Sequence, residues 1–103
     1  MDIFIPFNNY IDEKFVNLLK AQNNLDEFNI YFISYTNDSN INSKVYDDFY
    51  HPDKNIFFLK ANNYLNAIHI FLYNSYLQQK YCLDINDFNF LEDSNFLKKI
   101  KEK

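Results

Sequence analysis

Two hydrophobic periods alternate along this chain, one of about two residues and one of about 3.6. Residues 2–7, DIFIPF, are a short apolar run rich in strand formers. Helical spacing follows at once, with Ile11, Phe15, Leu18 and Leu19 on one stripe, Asn8 or Asn9 as cap, Asp12 and Glu13 in the first turn and Lys20 in the last. The pattern predicts a strand and then an amphipathic helix ending near Asn23 and Asn24. In 28–36, FNIYFISYT, both faces are apolar: Phe28, Ile30 and Phe32 alternate with Tyr31, Ile33 and Tyr35, as in a central strand covered on each side. A polar interval from Asn37 to Lys54 contains one short helical pattern, Lys44 to Tyr50, capped by Ser43 and stopped before Pro52. Residues 55–60, NIFFLK, read as another buried strand, and Asn62 opens the longest periodic segment, a helix to about Lys80. Residues 87–91 read as a short fourth strand, and Ser94 caps a final helix through Phe96, Leu97 and Ile100.

Strands alternating with helices predict an α/β fold, a small two-layer or three-layer sandwich whose mostly parallel sheet has about four strands and three helices. Short apolar runs do not fix strand direction, so an α+β arrangement with a mixed sheet is the alternative. The 103 residues, 48% hydrophobic and 20% aromatic, suffice for one core, so residues 1–103 read as a single domain.

Composition mainly excludes. The chain has no Gly and no Trp, and all ten basic residues are Lys. Phosphate-cradling glycine loops, arginine fingers and bidentate guanine readout are therefore missing. Seventeen Asn, with abundant Ile, Lys, Tyr and Phe, read as the codon signature of an AT-rich bacterial or phage genome. A net charge of −4 without Arg argues against direct nucleic-acid binding. Charge is uneven: residues 1–50 hold eight acids and three lysines, whereas 94–103 hold four lysines and Glu102, a basic helix end. Cys82 is the single cysteine, which excludes an internal disulfide and a zinc motif and reads as a small buried hydrophobe. With no run of eighteen apolar residues and no leader pattern, the expected location is cytoplasmic, without a membrane partner.

No catalytic residue, metal or cofactor is expected. Asp47, Asp48, His51 and Asp53 are metal-ligating types, but adjacent Asp47 and Asp48 point apart and the stretch reads as a turn around Pro52. His51 and His69 have no nucleophile in a recognisable pattern. In a parallel sheet, ligands gather at the carboxyl ends of the strands, which nominates the loops holding Asn8, Asn9, Thr36, Asn37, Asp38 and Asn62. On the long helix, Tyr64, Leu65, Ala67, Ile68, Phe71, Leu72 and Tyr76 form a broad core face, while Ile70, Tyr73 and Leu77 form a second apolar stripe among asparagines. That stripe is either a partner-binding surface or a seam covered by the final helix. Tyr46, Phe49 and Tyr50, beside Asp47 and Asp48, form a second candidate surface suited to a basic partner.

The strand DIFIPF with its following helix resembles the opening of a Toll/interleukin-1 receptor domain over residues 1–20. Enzymatic members of that family use a glutamate on a helix after a later strand, and the corresponding segment here, 62–80, has no Glu. The leading expectation is a small acidic non-enzymatic protein that binds another protein, as an inhibitor, immunity protein or anti-defence factor, at a basic nucleic-acid-binding surface of its target. The alternatives are a small α/β enzyme or ligand sensor using the strand-end loops, and a homo-oligomeric subunit, in the simplest case a homodimer.

Overall fold

The computed structural model describes residues 1–8, 11–36, 55–75 and 79–102. Among them the order is β1 (Asp2–Phe7), α1 (Glu13–Lys20), β2 (Asn29–Ser34), β3 (Ile56–Lys60), α2 (Tyr64–Asn74), β4 (Lys80–Cys82) and α3 (Phe96–Lys101), with 3-10 turns at Leu25–Glu27 and Asn89–Glu92. The four strands form one sheet in the order β3-β2-β1-β4. Every pairing is parallel, with Ile5 beside Phe32, Phe32 beside Phe58 and Ile3 beside Tyr81. The parallel α/β reading therefore holds, and a mixed sheet does not. The short helix expected at 44–50 lies outside the described residues.

Alternation along the strands creates two cores. On one face Ile3, Ile5, Phe7, Ile30 and Phe32 meet Phe15, Val16 and Leu19 of α1 together with Leu91 and Leu97 of the carboxyl-terminal segment. On the other, Phe4, Tyr31 and Ile33 meet Ala67 and Phe71 of α2. The result is three layers. Handedness explains the division: α1 carries the chain from β1 outward to β2, and α2 carries it back from β3 across to β4. A right-handed crossover run in the reverse direction must pass over the opposite face.

Local chemistry sets the element ends. Asp12, rather than Asn8 or Asn9, caps α1, its carboxylate accepting from the Lys14 amide at 2.8 Å. The helix α2 stops at Asn74, short of Lys80, where the Asn74 side chain donates to the Ile70 carbonyl at 2.7 Å and Ser75 turns extended. The fourth strand is Lys80–Cys82, not 87–91, which is wound into turns: Asn86 N–H donates to Asp84 Oδ1, and Asn89–Glu92 is a 3-10 turn that drops Leu91 into the core. Ser94 does not cap α3, whose first residue follows Asn95. No helix among the described residues is long and apolar enough to cross a membrane.

Candidate functional site

Two features converge on α2. The sheet is about 14 Å wide at roughly 4.8 Å per strand spacing, and a helix covers only about 10 Å. On this face α2 rests on the sheet through Ala67 and Phe71, the latter stacked on Phe4 at 4.9 Å and edge-on to Tyr31 at 5.3 Å. Among the described residues nothing closes the flanks. Phe57 on β3, stacked on Tyr31, is 40% exposed, and on the β4 side a groove of about 330 Å³ runs between Phe4, Ile68, Phe71 and Leu72 and the Tyr81–Cys82 edge. Facing away from the sheet, Leu65 is 62%, Leu72 52% and Tyr73 87% exposed.

Tyr73 thus stands in solvent, whereas Ile70, expected beside it, is half-buried and packs against the second core. Tyr64, Leu65 and Leu72, assigned to the core face by spacing, are exposed, because the contact with the sheet centres on the i, i+4 pair Ala67 and Phe71, with Ile68 and Ile70 half-buried beside it. The final helix does not cover α2; its Leu97 belongs to the core on the opposite face. Leu77, Tyr46, Asp47, Asp48, Phe49 and Tyr50 lie outside the described residues, as do Asn9, Asn37 and Asp38.

The second feature is a cavity of about 230 Å³ at the carboxyl ends of the strands. All four strands feed it: Pro6 from β1, Tyr35 just after β2, Tyr64 from the helix that follows β3, and Cys82 with Asp84 and Asn86 from the end of β4. The Tyr35 and Tyr64 rings meet edge to face, centroids 5.4 Å apart. Asp84 Oδ1 accepts from the Asn86 amide at 2.8 Å. Burial pushes the Tyr64 phenol above its ordinary value, reinforced by Cys82, Tyr35 and Asp84. Burial and the Asp84 charge likewise push the Cys82 thiol up. Cys82 is not a core residue, as composition suggested; it sits exposed on the edge strand, held as a neutral thiol.

Asn8, Thr36 and Asn62 also lie at this edge of the sheet, joined to their neighbours by local hydrogen bonds. The Ser34 and Thr36 hydroxyls donate to the Asn8 carbonyl at 3.2 and 3.3 Å, and the Asn62 amide donates to Asn66 Oδ1 at 3.0 Å. None of the three lines the cavity. Among the described residues no group of three His, Cys, Asp or Glu side chains could hold a metal ion, and the 47–53 acidic stretch lies outside them. No family model matches this chain, and no curated protein or solved structure matches it. The likeness of residues 1–20 to a Toll/interleukin-1 receptor domain therefore carries no family assignment.

Proposed function

We propose that this chain is a non-enzymatic binding module that docks on another protein through the outer face of α2, with Leu65, Leu72 and Tyr73 as anchors. One observation carries the reading: Tyr73, 87% exposed beside two exposed leucines, lies in a stretch, 61–79, without a single Asp, Glu, Lys or Arg. In a chain that is 23% charged, a helix facing water would ordinarily carry charges on that side. Interface centres are instead depleted of charge and anchored by aromatic side chains. The acidic groups lie elsewhere, with Asp12 and Glu13 at the start of α1 and Asp26 and Glu27 in the 3-10 turn. A net charge of −4 then favours a partner with a basic surface, drawn in by long-range attraction, while α2 supplies the short-range contact. Blocking such a surface, for example a nucleic-acid-binding one, would make the chain an inhibitor or anti-defence factor.

The test is capture of a stoichiometric partner from host lysate by wild type and by Leu72→Asp/Tyr73→Asp, with light scattering on each. A monomeric wild type whose partner is lost in the double variant supports the proposal. A wild-type dimer that the variant converts to a folded monomer assigns the face to self-association instead. Capture undiminished in the variant overturns it.

A further inference from the structure

The cavity at the strand ends has a chemistry that the α2 face does not share. It lies at the carboxyl ends of the parallel strands, lined by Pro6 at the end of β1 and by Asp84, Ile85 and Asn86 of the loop that leaves β4. Among the described residues that line it, Asp84 carries the only formal charge; the phenols of Tyr35 and Tyr64, the Cys82 thiol and the Asn86 amide are neutral. Among the described residues no lysine lines it and no ion pair of Asp84 is found. A carboxylate beside two perpendicular aromatic rings is an arrangement that attracts an organic cation, the rings through their negative faces and the carboxylate through its charge. An anion would meet the reverse. Partial burial, with the Asp84 charge adding to it, pushes the Tyr64 phenol and the Cys82 thiol up, and α2's opening amides are partly engaged by its own asparagines, Asn66 N–H donating to Asn63 Oδ1 at 2.8 Å.

Size narrows the ligand. At about 230 Å³ the cavity falls below the roughly 300–1,000 Å³ of drug-sized sites, which suits a compact head group. Tyr64 and Cys82 line both this cavity and the apolar groove of about 330 Å³ between α2 and β4, so the two adjoin along one seam. We propose that this cavity binds a small organic ammonium ion, its charge set against Asp84 and the rings of Tyr35 and Tyr64, with an apolar substituent lying along the groove.

Amide NMR titration of the whole chain with tetramethylammonium and with benzyltrimethylammonium tests this, with the neutral isostere 3,3-dimethylbutanol and with acetate as controls. The expected result is saturable shifts clustered at Tyr35, Tyr64 and residues 82–86, tighter for the benzyl compound and absent for acetate. Asp84→Asn, its fold checked by the dispersion of the same spectrum, should weaken binding about tenfold, the size of a single lost charge contact. Tyr64→Leu should weaken it while leaving the Asp84 carboxylate in place. Equal binding of the neutral isostere, undiminished binding by Asp84→Asn, or shifts that spread over the acidic surface without saturating would overturn the proposal. So would the absence of any saturable shift at millimolar concentration.

Discussion

Gln22 offers the sharpest test of how the first core is closed. It is 4% exposed, just beyond the end of α1, and its amide Nε2 donates to the carbonyls of Leu91 at 2.8 Å and Asp93 at 2.9 Å, while its Oε1 accepts from the Leu97 amide at 3.1 Å. One side chain thus satisfies three backbone groups of the segment that lays Leu91 and Leu97 on the sheet. Gln22→Glu keeps the shape and removes both donors, setting a carboxylate against two carbonyl oxygens. Leaving one buried and one partly buried acceptor unpaired should cost about 3 kcal/mol, at roughly 1–3 kcal/mol each with the partly buried one at the low end. For a domain of this size that is a fall in Tm of roughly 12–24 °C, at ~4–8 °C per kcal/mol. Protonation restores one donor, so the carboxyl at position 22 should have a folded pKa above its unfolded value near ~4.3. The deficit relative to wild type is then smallest below the unfolded pKa and grows as pH rises through the folded one. Urea denaturation of both proteins at a series of pH values measures this difference directly. A variant within ~0.5 kcal/mol of wild type at neutral pH, or a deficit that does not change with pH, would refute the reasoning, since either outcome means the amide donors are not needed.

Other outcomes follow from the same structure. Phe71→Ala, which removes the ring stacked on Phe4 and set against Tyr31, should cost about 3–5 kcal/mol by chemical denaturation. Tyr73→Asp, only two residues further along the helix but exposed, should stay within ~0.5 kcal/mol of wild type in the same assay. Asp2→Ala should cost about 1–3 kcal/mol, because the buried carboxylate accepts from Asn29 Nδ2 at 2.8 Å and from the Ser75 hydroxyl, tying the start of β1 to β2 and to the end of α2. Alkylation of Cys82 by iodoacetamide should be slower near neutral pH than that of a free thiol, with a rate midpoint above the ordinary thiol range, and Asp84→Asn should move that midpoint down. Because the folded pKa is the higher one, any stability this thiol contributes is present below its unfolded pKa and is lost as pH rises through the folded value.

The parts of the fold legible in the sequence are those whose burial repeats. In 28–36 both faces are apolar because both are covered, and β2 lies between β1 and β3 with α1 and α2 above and below. Strand β4 is too short for any period to show: it has three residues, and its Lys80 and Cys82 are exposed. Asp84 and Cys82 could not be placed beside Tyr35 and Tyr64 without it, so the switch-point rule pointed to this edge of the sheet without naming the residues that line the cavity there. Gln22 was illegible for a different reason. A lone glutamine past a helix end reads as solvated surface, and its partners lie 69, 71 and 75 residues further along the chain.

The two faces of the sheet are unequally covered. Among the described residues, thirteen buried ones on the α1 side form one cluster, sealed by two helices and the turns around Leu91. On the α2 side six buried residues among those described support one helix. Free energy of folding resides mainly in the first, so the second can leave leucine and tyrosine in solvent at modest cost to the whole. Under-coverage also follows from topology: among the described residues of the crossover from β3 to β4, one helix of eleven residues lies on this face and leaves both flanks open. An exposed apolar strip then follows from the strand order unless charges are placed along the helix to mask it, and residues 61–79 carry none. The absence of that masking, more than the presence of any one tyrosine, is what supports the proposed docking face over an ordinary solvent-facing helix.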